Sequence, residues 1–86
     1  MTFGVLVITV DSVEIEDSAY RHGIAAEDIR HAARNAIKTH YMDGYVLIIG
    51  PSQSGQLLEL CISDDDRIFH AMKARKKFLR LKGDFS

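Results

Sequence analysis

Three tight-turn signals cut residues 36–71 into strand-length pieces, and this spacing limits the fold more than any other feature of the chain. Ala36 to Met42 runs into Asp43-Gly44, a strong two-residue hairpin signal. Tyr45 to Gly50 returns and is apolar on both faces, as a central covered strand should be. Pro51-Ser52-Gln53-Ser54-Gly55 turns the chain again, Gln56 to Ser63 makes a further strand, and Asp64-Asp65-Asp66 leads into a last strand from Arg67 to Ala71. Short turns between successive strands predict a four-strand antiparallel meander. The glycine-rich turn does not fit a phosphate loop, because no Gly-Lys-Ser/Thr opens a helix after it. The aspartate triplet reads as a solvated turn, since successive residues on a tight hairpin point apart.

Ahead of the meander the period changes. Phe3 to Val10 is rich in β-branched residues and predicts a strand, either an added sheet edge or an arm used in assembly. Asp11-Ser12 breaks it, and Val13-Glu14-Ile15 forms a second short extended piece. Asp17 or Ser18 is placed to cap one or two helical turns through Tyr20 and His22, with Gly23 as the stop. A second helix is predicted over Ala25 to Asn35, where Ile29, Ala32, Ala33 and Ala36 form a narrow apolar stripe. Glu27, Arg30, His31 and Arg34 face outward on it, and its small alanines permit close approach to a sheet. The expected fold class is therefore α+β: a small antiparallel sheet with two N-terminal helices and a basic C-terminal helix. One domain over residues 1–86 is expected, with 1–12 as the extra strand or arm.

Charge is divided sharply along the chain. Seven of the eleven Lys and Arg residues fall in Arg67–Lys82, which holds no acid, whereas residues 1–66 carry four basic and eleven acidic residues. Such a division concerns partners more than fold. Plotted as a helix from Met72, the segment puts Lys73, Lys76, Lys77 and Arg80 on one face and Met72, Ala74, Phe78, Leu79 and Leu81 on the other. Arg75 falls inside the apolar arc, either snorkelling from the core edge or held by packing and aimed along the sheet. Like charges at i, i+4 cost about 0.2–0.5 kcal/mol a pair, and cations near a helix C-terminus recover about as much. Helix stability alone therefore does not explain the cluster; a solvated face, phosphate or an acidic protein does. The single cysteine, Cys61, excludes an internal disulfide and reads as a buried, inert thiol. No Cys/His spacing resembles a zinc site. The first residues lack a basic leader and a membrane-length apolar run, so neither export nor membrane insertion is expected and a cytoplasmic setting fits.

His22-Gly23-Ile24, Glu27-Asp28-Ile29, Gly50, Gly55, Leu58-Glu59, Arg67-Ile68, Ala71 and Lys73-Ala74, together with the order of elements, resemble the BrnT-like branch of the RelE/ParE ribonuclease toxins. The resemblance runs over residues 13–80. It implies a toxin of a type II toxin–antitoxin system: an endoribonuclease (mRNA interferase) that cleaves mRNA without metal or other cofactor. It also implies a tight antitoxin partner of the ribbon-helix-helix type, with homodimerisation left open. The chain departs from the pattern at Met72, where such toxins place an arginine and Arg75 stands as a substitute three positions on. It departs again at Phe78-Leu79, in the region where a glutamate is common.

Metal-free RNA cleavage needs a base near the 2′-hydroxyl, cations against the phosphorane and an acid for the 5′-oxygen. His70, on the last strand, is the first candidate for acid or base, with a hydrogen-bonded structural histidine as the alternative. His22, at a helix end, is a second candidate, or else caps that helix. His31 reads as surface and His40 as a strand residue near the hairpin. Glu59 is the carboxylate expected on the same surface, either pairing with Arg67 or Arg75 or acting as a base. Arg67, Lys73 and Arg75 are the phosphate-binding candidates, while Lys76, Lys77 and Arg80 would track the RNA backbone. Tyr41 and Tyr45 flank the hairpin, for base stacking or for sheet packing. Two further readings stand beside the ribonuclease. One is a non-catalytic binding protein that docks an acidic protein or nucleic acid on its basic helix. The other is a toxin acting on a topoisomerase, as in ParE-type relatives.

Overall fold

The computed structural model describes residues 13–79. The expected strand or arm over Phe3–Val10, and Arg80 with the basic residues after it, lie outside them. Within the described residues the order is β1 (Glu14–Ile15), a 3-10 helix (Asp17–Tyr20), α1 (Ala26–Arg34), β2 (Lys38–Tyr41), β3 (Tyr45–Pro51), β4 (Leu57–Ser63), β5 (Arg67–Lys73) and α2 (Lys76–Leu79). This is a small α+β fold with one five-stranded sheet, ordered β1-β5-β4-β3-β2. Strands β2 to β5 form the expected antiparallel meander, with Tyr45↔Ser63 and Leu58↔Lys73 among the facing pairs. The short piece at Glu14–Ile15 pairs parallel with Arg67–Ile68, which makes the sheet mixed. No helix of the described residues is long and apolar enough to cross a membrane.

Two expectations need correction. Among the described residues only one N-terminal α-helix forms, because the first is a single 3-10 turn over Asp17–Tyr20 with no side-chain cap. Ser18 spends its hydroxyl on the Phe69 carbonyl, 2.7 Å away, and one turn this short does not cover the cost of helix nucleation. Instead the turn lies along β5 and buries Ala19 completely. The cationic helix, expected from Met72, begins only at Lys76. Met72 and Lys73 stay in the sheet because β4 still offers them Glu59 and Leu58 as partners, and the Ala74 N–H donates to the Leu57 carbonyl at 2.9 Å. The single-face arrangement of Lys73, Lys76 and Lys77 therefore does not exist.

One face of the sheet receives α1. Ile29 and Ala32 are fully buried, and Ala33 nearly so, against Ile48, Leu58, Leu60, Ile68 and Ala71. Ala36 is exposed instead of joining the stripe, since the helix stops at Arg34 and the Asn35 side chain closes it by donating to the His31 carbonyl. The helix comes closest at Gly50 of β3, where a Cβ would stand 2.1 Å from the carbonyl oxygen of Ala32. Only a residue without a side chain fits there.

Side chains alternate along a strand, so Leu58 and Leu60 enter this core while Glu59 and Cys61 point to the opposite face. Strand β5 does not alternate strictly. Cys61 faces His70 and Ile62 faces Ile68, which leaves Phe69 as the extra residue of a β-bulge. Without the bulge, Ile68 and Ala71, three apart, would lie on opposite faces; with it both are buried in the core. His70 is thereby turned onto the face of Glu59. The last segment returns across that same face, and the Leu79 carbonyl accepts a hydrogen bond from Lys38 Nζ of β2 at 3.1 Å.

Gly50→Ala should force α1 off the sheet and cost about 3 kcal/mol, at the upper end of ordinary overpacking. A urea titration checks this: an unchanged midpoint would mean that helix and strand are not in backbone contact.

Candidate functional site

Glu59 sits mid-strand in β4 between Ile49 of β3 and Met72 of β5, and it is fully buried. A carboxylate in that position needs its oxygens filled. Arg75 does most of this from the bend between β5 and α2. Its backbone N–H donates to Oε1 at 3.0 Å, Nε lies 3.1 and 3.2 Å from the two oxygens, and Nη2 donates to Oε2 at 2.7 Å. His70 Nε2 completes the set at 2.9 Å from Oε2. The second helix starts from the same residue, since the Phe78 and Leu79 N–H groups both donate to the Arg75 carbonyl.

Burial raises the Glu59 pKa, but the hydrogen bonds from the Arg75 side chain and backbone and from His70 outweigh it and hold the carboxyl below its ordinary range. The Arg75 guanidinium is held above its own by the same contact. An ionised carboxylate only accepts hydrogen bonds, so the proton between it and His70 belongs to Nε2. In the tautomer with that single ring proton, the lone pair is on Nδ1. The His70 side chain is 24% exposed and that of Arg75 46%, so both meet solvent from a buried anchor. The His22 ring stands edge-on to His70 with centroids 5.6 Å apart and planes at 75°. His22 arrives from beyond the 3-10 turn, which the Tyr20 carbonyl and the Gly23 N–H close at 3.0 Å. Gly23 adopts a φ of +80° there, as expected of a stop residue.

Four of the expected site residues thus converge: Glu59, His70, Arg75 and His22. Arg67 does not join them. It starts β5 about 10 Å before His70, and there Nη1 contacts Glu14 and Glu16 at 3.1 Å each while Nε lies 3.5 Å from Asp65. These carboxylates fix β1 to β5 and raise the Arg67 pKa. Of the two partners foreseen for Glu59, the structure selects Arg75. Lys77 lies 5.0 Å from the centre of the Phe78 ring, and the Arg75 guanidinium 5.1 Å from it, so one aromatic ring braces two cations. Lys73 and Lys76 border a neighbouring cleft of about 600 Å³ between the β3–β4 loop and the start of α2.

Other side chains are placed differently from their sequence reading. His31 is tied down: its Nδ1–H donates to the Pro51 carbonyl at 2.8 Å. Tyr45 packs edge-on against Phe69 at 5.7 Å, which is sheet packing, whereas Tyr41 is 84% exposed. Burial pushes the Cys61 thiol up to about 11, in keeping with an inert sulfur. Among the described residues, no three His, Cys, Asp or Glu side chains cluster as a metal-holding group. Sequence reasoning missed the Phe78 platform and the cleft residues Ser54 and Gln56. The two cations beside Phe78 in the sequence were its available signal.

Because the folded-state pKa of Glu59 lies below the ordinary value of 4.5, its pairing contributes fully above that pH and is lost as pH falls through the lowered value. Glu59→Gln should cost about 2 kcal/mol at pH 7. The gap between variant and parent should narrow toward pH 3 in urea titrations at both pH values, and a gap independent of pH would contradict the ionised pair. Alkylation of Cys61 at pH 8 should run roughly a hundred-fold slower in the folded protein than in urea, read by mass spectrometry.

No family model, no curated protein and no solved structure matches the chain.

Proposed function

We propose that this chain cleaves RNA without a metal ion, as the toxin of a type II toxin–antitoxin pair acting in the cytoplasm. The observation that carries the reading is the buried carboxylate of Glu59 holding His70 Nε2 and the Arg75 guanidinium on one surface, with the His22 ring against His70. This is the minimum set that transesterification of a phosphodiester asks for. His70 Nδ1 takes the proton of the 2′-hydroxyl as its oxygen bonds to phosphorus. Arg75 faces the charge that develops on the non-bridging oxygens. Protonated His22 gives its proton to the 5′-oxygen as that bond breaks, which leaves a 2′,3′-cyclic phosphate and a 5′-hydroxyl. Glu59 is a positioning residue, since it fixes the His70 tautomer and the Arg75 fork without touching RNA. Lys76 and Lys77, continued by Arg80, would hold the flanking backbone, and an antitoxin would cover the same cations. The BrnT/RelE-like resemblance agrees with this assignment and supplies the biological setting.

One observation favours a second reading, a binding protein without catalysis. Arg75 already commits its backbone N–H, Nε and Nη2 to Glu59, which is also how a purely structural arginine is held.

Purified protein incubated with an RNA oligonucleotide in excess EDTA separates the two. Cleavage ending in a 2′,3′-cyclic phosphate is expected, blocked by a 2′-deoxy sugar at the scissile position. His70→Ala and Arg75→Ala should each lower the rate by on the order of a hundred-fold while RNA binding persists. Intact RNA at saturating protein, with binding retained, would establish the binder instead.

A further inference from the structure

The two edges of the sheet are finished differently. Strand β1, at one edge, is two residues long, and the Arg67 guanidinium beside it is ringed by the carboxylates of Glu14, Glu16 and Asp65. Short length and charge are the usual guards of a sheet edge against pairing with another chain. Strand β2, at the other edge, has four residues, no proline, and pairs only with β3 among the described residues. Its lysine does not project from the edge, because Lys38 Nζ is drawn over the sheet to the Leu79 carbonyl at 3.1 Å.

The hairpin decides which backbone groups of β2 face outward. The Met42 N–H donates to the Tyr45 carbonyl at 2.8 Å, and facing residues of an antiparallel pair alternate between bonded and non-bonded positions. His40 and Lys38, in step with Met42, therefore turn their backbone groups to β3, and Thr39 and Tyr41 turn theirs away from it. The side chains of these two residues lie on the face of Ile48 and Val46, and both are open to solvent, Tyr41 at 84%. Two of the three large apolar side chains exposed among the described residues, Ile37 and Tyr41, flank this one strand.

Thr39 and Tyr41 are placed evenly about His40, so the edge is its own antiparallel complement. We propose that β2 is a homodimerisation edge, joining two copies of the chain about a two-fold axis at His40. In that register the N–H and C=O of Thr39 meet the C=O and N–H of Tyr41 in the second copy, and the reverse. Four hydrogen bonds form and no outward group of either residue is left over. A register centred on Thr39 would do less well, since the Ile37 N–H is already spent on the Ile49 carbonyl at 2.8 Å. Each Tyr41 ring then lies across from a Thr39 of the other copy, an aromatic with a β-branched residue, which is a favourable cross-strand pair. Neither side chain carries charge, so nothing on this edge selects an anionic or cationic partner over a second copy. An axis of this kind stands perpendicular to the sheet and keeps the two faces apart. Both Glu59 sites look the same way, about 24 Å from each other by strand spacing. The contact is smaller than a standard interface, so a dissociation constant on the order of 100 µM is expected.

The inference stands apart from the cleavage reading and is tested by sedimentation equilibrium of the full-length chain from about 10 µM to about 1 mM. The mass should rise from one chain toward two. Proline is admitted at an edge position whose N–H faces away from the sheet, so Thr39→Pro should keep the urea midpoint and weaken the dimer at least ten-fold, having removed two of four bonds. Tyr41→Lys should weaken it as well. Crosslinking reads the register. Thr39→Cys mixed with Tyr41→Cys should give a disulfide between copies, with Cα atoms about 5.5 Å apart. Either variant alone should not, since like positions stand more than about 7 Å apart. The buried Cys61 stays silent in this assay. One-chain mass at every concentration, a dimer that Thr39→Pro leaves intact, or single variants that crosslink as fast as the mixture would each overturn the proposal. Thr39 and Tyr41 amides protected from exchange equally at all dilutions would do the same, because the edge would then be filled within one chain.

Discussion

A single ionised carboxylate inside a sheet sets the terms for the rest of this molecule. Glu59 is fully buried, and a bare charge there would be intolerable in a chain of 86 residues, where the core is small. Its oxygens are filled from one side by Arg75 and from the strand next door by His70. The fold is arranged to make those donors available. Strand β5 bulges to turn His70 over, and the chain bends sharply after Lys73 so that Arg75 can reach back. A buried ion pair of this kind is weak evidence for stability as such. Its effect here is to decide where the polypeptide leaves the sheet.

The two faces of the sheet consequently do different work. The face under α1 is apolar and close-packed, with Gly50 admitting the helix backbone to the strand. The opposite face buries Leu47, Ile49, Cys61 and His40 around Glu59, and the two side chains bound to that carboxylate, His70 and Arg75, are partly open to solvent. The Phe78 ring lies 5.1 Å from the Arg75 guanidinium and 5.0 Å from the Lys77 ammonium and supports both cations with its face. The acidic part of the sequence answers the C-terminal cations at two places, through Glu59 at Arg75 and through Glu14, Glu16 and Asp65 at Arg67, at the far end of β5.

Much of this was legible from the residues. Asp43-Gly44, Pro51–Gly55 and Asp64–Asp66 mark the turns that the meander uses, because turn chemistry is local. Ile29, Ala32 and Ala33 announce the buried stripe of α1 for the same reason. Glu59 in the apolar run Leu57–Ile62 signalled an acid in need of partners, and Arg75 was one of the two foreseen. What failed was non-local. Helical periodicity from Met72 onward was outweighed by two more rungs of strand pairing, which only the position of β4 reveals. The bulge at Phe69 has no sequence signature, so the meeting of His22 with His70 across the sheet edge could not be drawn from spacing. Ser18 looked like a cap and became an edge contact for β5.

The β3–β4 loop carries a consequence of its own. Its backbone is gripped from α1 by Asp28 at Gln53 and by His31 at Pro51, while its far side borders the cleft. The helix packs on the opposite layer, yet it sets the position of a wall of that cleft. Any partner that leans on the outer surface of α1 thereby holds a lever on the charged face, through a few residues of rigid turn rather than through the core.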